Sequence, residues 1–142
     1  MRVIARYLFP ALLSAPMLGH AVQPRKAEQV TETKTHSASM PQFFIDKFFV
    51  PAAAIETFKA RTKINRELIK KLLGFIEDHI YESIDEQGNL TCVTVATWAS
   101  AEALSKAKEI VQAEYKKEGF NPAAMLQELH ITMERGIFRE TE

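Results

Sequence analysis

From residue 41 onward the hydrophobic positions recur at two spacings, and the change between them marks the elements. Gln42 to Val50 holds four Phe with Ile45 and Val50, a composition suited to a strand. Pro51 stops the ladder and suits the first turn of a helix. Ile55, Phe58, Thr62, Ile69, Leu72 and Leu73 then follow at spacings near three and four, with Gly74 as the expected helix cap. A hairpin comes next. Ile76, Ile80 and Ile84 fall on one face and Phe75, His79 and Tyr81 on the other, Asp85 to Asn89 forms the turn, and Leu90 to Trp98 is the partner strand. Ser100 is placed to cap a second helix with the stripe Ala103, Leu104, Ala107, Ile110, Val111 and Tyr115, closed by Gly119-Phe120. Asn121-Pro122 opens a third, short helix, and Ile131 to Arg139 is a last strand. The order β-α-β-β-α-α-β predicts an α+β fold of the ferredoxin-like split β-α-β kind, a four-stranded antiparallel sheet with helices on one face. The strands carry apolar residues on both faces, so the face away from the helices calls for a second cover, most simply another copy of the sheet.

The first forty residues lack this patterning. Arg2 and Arg6, then a mostly apolar run from Tyr7 to Leu18, then Gly19-His20-Ala21, follow the order of a secretory signal, so residues 1–21 are expected to be removed. The run is too short to remain as a membrane anchor. Residues 22–40 hold no aromatic side chain and are rich in Thr, Ser, Lys, Glu and Gln, which fits a flexible leader. The expected organisation is signal 1–21, leader 22–40 and domain 41–142, with the mature protein periplasmic or secreted. Loss of Arg2 and Arg6 from a chain with 18 basic and 18 acidic residues leaves 16 against 18, which gives no reason to expect nucleic acid as a partner. One cysteine, Cys92, permits no intrachain disulfide and no cysteine-based metal site; in its apolar stretch it reads as a small buried hydrophobe.

At this point several runs carry a resemblance. Phe48-Phe49-Val50-Pro51 with Glu56 and Phe58, the turn Leu73-Gly74-Phe75-Ile76, and Thr94-Val95-Ala96-Thr97-Trp98-Ala99-Ser100-Ala101-Glu102-Ala103 are similar to the antibiotic-biosynthesis-monooxygenase family. The likeness spans about a hundred residues, and its motifs are mainly structural. It implies a dimeric α+β barrel, hence a homodimer, made by packing two sheets face to face. Some members oxidise phenolic substrates with O₂ and without metal or flavin, the substrate lying between sheet and helices. Others degrade haem with an Asn, a Trp and a His. Trp98 matches that Trp, but Asp46 stands where the Asn is expected, and the second helix has no His. Haem chemistry and tight haem binding are therefore not expected, and no cofactor or metal is called for.

The candidate residues follow. Asp46, a carboxylate among Phe and Ile, would hold its proton to higher pH if buried unpaired and could then act as a base; the alternatives are a place at the edge of the pocket or a salt bridge with Lys47 or Arg135. Trp98 could line the pocket or be plain core. Phe44 and Phe48 could contact a small hydrophobic or aromatic molecule, or simply fill the space. His79 and Tyr81 could hydrogen-bond a phenol or sit at a dimer interface, and Arg135 could hold an anionic group or face solvent. No phosphate loop, nucleophile elbow or His-Glu zinc spacing occurs, and the acidic hairpin around Asp85 lacks a Ca²⁺-loop register. Two functions remain open: a cofactor-independent monooxygenase for a small aromatic or quinol, with Asp46 and Trp98 catalytic, and a non-catalytic ligand-binding or stress-associated dimer.

Overall fold

A computed structural model describes residues 39–142. The expected signal at 1–21, and residues 22–38 of the expected leader, lie outside the described residues. Strand β1 (Gln42–Val50) ends where Pro51 withdraws its N–H from the ladder. A single 3₁₀ turn at Ala52–Ala54 leads into helix α1 (Ile55–Ile69), and the hairpin β2 (Phe75–Ile84) and β3 (Leu90–Trp98) follows. Helix α2 (Ala101–Glu118) starts at Ser100, whose hydroxyl accepts the Ala103 N–H at 3.1 Å, a cap worth about 1 kcal/mol. It ends at Gly119 in the left-handed region, as expected. Asn121 caps the short helix α3 (Pro122–Glu128), and β4 (Thr132–Phe138) completes the chain.

The strands pair antiparallel in the order β2-β3-β1-β4, so the first strand is central and the last is an edge. This is the ferredoxin-like α+β fold that the element order predicts. Alternation along β1 turns Phe44, Asp46, Phe48 and Val50 to one side, and the register sets them opposite Ala96, Thr94, Cys92 and Leu90. That side meets the helices, and its core divides in two. Val50, Leu90, Cys92, Phe58 and Ile131 form one buried cluster, with Phe48 against it; Ala96, Trp98, Leu104 and Ala107 form the other, with Phe44, Ile69 and Phe75 against it.

Three expectations need correction. Helix α1 stops at Ile69, with Lys70 as its cap, so Gly74 serves the turn into β2 instead, and Leu73, expected in the apolar stripe, is 92% exposed. A bulge between Phe75 and Glu77 shifts the register by one side chain. Phe75 therefore joins the helix-side core edge-on to Trp98, and Ile76 turns outward, the reverse of simple alternation. Ile110 lies on the exposed side of α2 although it falls within the expected stripe.

Candidate functional site

Between the two apolar clusters the helix side of the sheet carries a polar belt. On β1, Asp46 lies between Phe48 of one cluster and Phe44 of the other; across from it on β3 is Thr94, between Cys92 and Ala96. Asp46 is only 7% exposed, on a central strand, where a lone charge would be costly. Its register partner on the edge strand, Arg135, answers it with Nε donating to Oδ1 at 2.7 Å and an Nη to Oδ2 at 2.8 Å. This two-pronged pairing is the strong geometry for guanidinium and carboxylate. The same contact, chiefly the hydrogen bond to Asp46, raises the pKa of Arg135 above its usual value. Arg135 also spreads over the Phe44 ring at 4.7 Å, and Lys108 Nζ approaches that ring at 4.9 Å. Asp46 thus faces the helices as expected, but it is the salt-bridged partner of Arg135 and not an unpaired carboxylate.

The belt continues onto the helices. Along α1, Phe58 belongs to one cluster and Ile69 to the other, and Arg61 and Asn65 lie between them, one helical turn apart. Arg61 Nη1 donates to Glu118 at 2.9 Å, and the guanidinium lies over Phe120 at 3.6 Å and Tyr115 at 5.0 Å. Burial pushes the Tyr115 phenol above its usual pKa, while Arg61, by its charge and a hydrogen bond, and Arg135, by its charge, oppose that rise. Among the described residues, four buried polar atoms find no hydrogen-bond partner: Arg61 Nε and Nη2, Asn65 Oδ1 and Trp98 Nε1. Native interiors leave few such atoms.

Of the sequence-derived candidates, Phe44, Asp46 and Arg135 come together in the belt. Phe48 packs on Phe58 with ring centroids 4.9 Å apart. Trp98 is on the same face but four residues along from Asp46 in register, about 13 Å by strand rise, and is 2% exposed within its own cluster. His79 and Tyr81 do not join the belt. They stack on one another with centroids 6.3 Å apart on the opposite side of the sheet, where Tyr81 is 59% exposed. They are placed there because the bulge at Phe75 leaves the odd-numbered residues of β2 facing away from the helices. Arg61, Asn65 and Tyr115 were not singled out as polar site residues from the sequence. The one signal was a polar i, i+4 pair between Phe58 and Ile69 on a helix that must face a core. Among the described residues no three His, Cys, Asp or Glu side chains gather as a metal site would require.

No known family model matches the chain, and no curated protein matches it in sequence. Solved structures do match in fold. A protein of Shewanella loihica PV-4, provisionally named a monooxygenase, aligns at 21% identity over 73% of this chain and 97% of its own, with a TM-score of 0.55. A point variant of SnoaB, a cofactor-independent oxygenase of Streptomyces nogalater, aligns at 21% identity over 73% and 96%, with a TM-score of 0.57. A Nitrosomonas europaea protein, provisionally named an antibiotic biosynthesis monooxygenase, aligns at 16% identity over 72% and 91%, with a TM-score of 0.53. At these identities the likeness is one of fold.

Proposed function

We propose that the protein is a cofactor-independent monooxygenase for a small aromatic or quinol. The observation that carries this reading is the pairing of buried Asp46 with half-exposed Arg135 in a polar belt between two apolar clusters, on a fold shared with an oxygenase named as cofactor-independent. In this reading the ring of the substrate lies against Phe44, Arg135 holds its oxygen, and Asp46 takes the phenolic proton as the substrate enters and loosens the pair. The resulting electron-rich anion supplies the electrons. A ring CH₂ and O₂ give a ring C=O and water, so no outside reductant is consumed. Trp98 shapes the apolar wall. The enzyme is proposed to act as an exported homodimer closed through the sheet face opposite the helices.

Oxygen uptake with an anthrone or quinol, measured in metal-stripped buffer, tests the reading. We expect stoichiometric uptake in the unaltered protein and at least a hundredfold loss in Asp46→Asn with the fold retained. Uptake that is absent, or unchanged by the substitution, overturns it.

One observation favours a second reading. Phe48 packs on Phe58, Trp98 on Phe75, and Arg135 already occupies both Asp46 oxygens. A space so filled suits a non-catalytic dimer that carries a small hydrophobic ligand. Saturable binding of an aromatic without oxygen uptake supports this alternative.

A further inference from the structure

We propose that Arg61 is the anchor of a carboxylate-binding site in the seam between α1 and α2, taking a small organic acid. The guanidinium is held on three sides. Its Nη1 donates to Glu118 at 2.9 Å, one face rests on Phe120 at 3.6 Å, and the Tyr115 ring lies 5.0 Å from it. What remains is the edge carrying Nε and Nη2, which is buried and has no partner among the described residues. These two N–H groups point the same way and form the fork that meets a carboxylate side-on.

Arg135 uses that same Nε-and-Nη pattern on Asp46, so the molecule holds one filled fork and one open one. Burying two guanidinium donors without acceptors costs several kcal/mol, and a core this small does not carry such a cost without compensation. Tyr115 supplies it only in part: a hydrogen bond and the charge of Arg61 both act to lower the phenol's pKa, yet neither Nε nor Nη2 finds an acceptor at full hydrogen-bond geometry.

The ligand chemistry follows from the donors. Two coplanar N–H groups on a plate braced against two adjoining aromatic rings fit two coplanar oxygens. Glu118, a third exposed, already balances part of the charge, so a monoanion fits better than a phosphate dianion. One helical turn away, Asn65 Oδ1 is a buried acceptor without a donor, which a hydroxyl beside the carboxylate would satisfy. Helices α1 and α2 approach closely at only a few positions, and an open groove of about 370 Å³ runs along them; its wall includes Lys63, Ile64, Leu68 and Glu114 and reaches Glu118, the residue that holds Arg61 Nη1.

The inference goes beyond the proposed oxygenase reading and does not depend on it; binding itself needs no chemistry. Benzoate, with benzyl alcohol as the neutral control, is the probe, titrated at pH 7 by calorimetry and by the Arg Nε–H resonances of the full chain. We expect saturable benzoate binding, a shift of one buried Arg Nε–H, and at least tenfold weaker binding in Arg61→Gln. Arg61→Lys keeps the charge but loses the fork and should also weaken binding, whereas Lys106→Gln, exposed on α2 and outside the groove, should not. The resonance readout needs no variant, so a misfolded Arg61→Gln leaves the test intact. No binding, equal loss in Lys106→Gln, or a crystal structure with benzoate present and water alone on the fork overturns the proposal. Benzoate binding without oxygen uptake by any phenol removes the oxygenase reading and keeps this one. Oxygen uptake that is indifferent to Arg61→Gln, with no benzoate binding, does the reverse.

Discussion

Gly74 backs directly onto Ala103: a Cβ built on the glycine would overlap the alanine side chain, and the Gly74 carbonyl accepts the Ala99 N–H at 2.8 Å. The turn before β2 and the start of α2, two of the three runs behind the family resemblance, are therefore halves of one contact. Their residue types are explained by close packing and by the positive φ of Gly74, without reference to catalysis.

Gly74→Ala should consequently destabilise the fold by about 2–4 kcal/mol, the sum of backbone strain and overlap. Ala103→Gly in the same chain should recover only the overlap. Denaturant melts of the two single variants and the double variant measure this. A Gly74→Ala loss below about 1 kcal/mol would mean that the turn shifts freely, and the packing account fails.

The face away from the helices carries Phe43, Ile45, Phe49, Val93 and Val95 from the central strands, with Phe49 and Phe138 notably exposed. We expect a homodimer through this face, because burying aromatic and branched side chains there removes apolar area from water. Sedimentation at micromolar concentration should give twice the monomer mass, and Val95→Glu should give a folded monomer. A monomeric unaltered chain, or a dimer indifferent to Val95→Glu, sinks the expectation.

The element order was legible because each boundary has a local chemical cause: Pro51 without a donor, Ser100 and Asn121 with capping oxygens, Gly119 free to turn left-handed. The site was less legible, for two physical reasons. A one-residue bulge at Phe75 reverses every side chain before it, and no residue type in Phe75-Ile76-Glu77 signals the bulge. Counting apolar residues also misses a buried cation. The α1 pattern passes through Thr62 and overlooks Arg61, whose charge is accommodated only because Glu118, Tyr115 and Phe120 arrive from more than fifty residues away. Asp46 was visible as an oddity on an apolar strand, yet its partner could be chosen only once β4 was known to pair with β1 in that register.

Cys92 is 1% exposed between Val50 and Phe58, and burial pushes its thiol up to about 11 from an ordinary 9. The folded chain then keeps a proton that the unfolded chain releases. This contribution to stability is complete below about pH 9 and is lost as pH rises from there through 11. Its size is at most about 2–3 kcal/mol. The fall in stability between pH 9 and 11 should be steeper in the unaltered protein than in Cys92→Ala, and native Cys92 should resist alkylation at pH 8. Alkylation as fast as that of a free thiol would place the sulfur at the surface.

The two ends of the Asp46–Arg135 pair should respond unequally to mutation. Asp46 is enclosed on the central strand, while the Arg135 side chain is 49% exposed on the edge strand. Removing the cation leaves a buried carboxylate without its two donors; removing the carboxylate leaves a guanidinium that can swing into water. Arg135→Gln should therefore cost about 2–4 kcal/mol and Asp46→Asn only about 1 kcal/mol, since breaking a pair is most damaging when the group left behind cannot be solvated. The double variant Asp46→Asn, Arg135→Gln should be more stable than Arg135→Gln alone, because an amide pair leaves no buried charge. Chemical denaturation of the three variants gives both the asymmetry and the coupling energy. Equal costs for the two single changes would mean that Asp46 reaches solvent in the folded state. The belt would then be an open, hydrated surface, and the case for Asp46 as a proton acceptor in an enclosed site would fall with it.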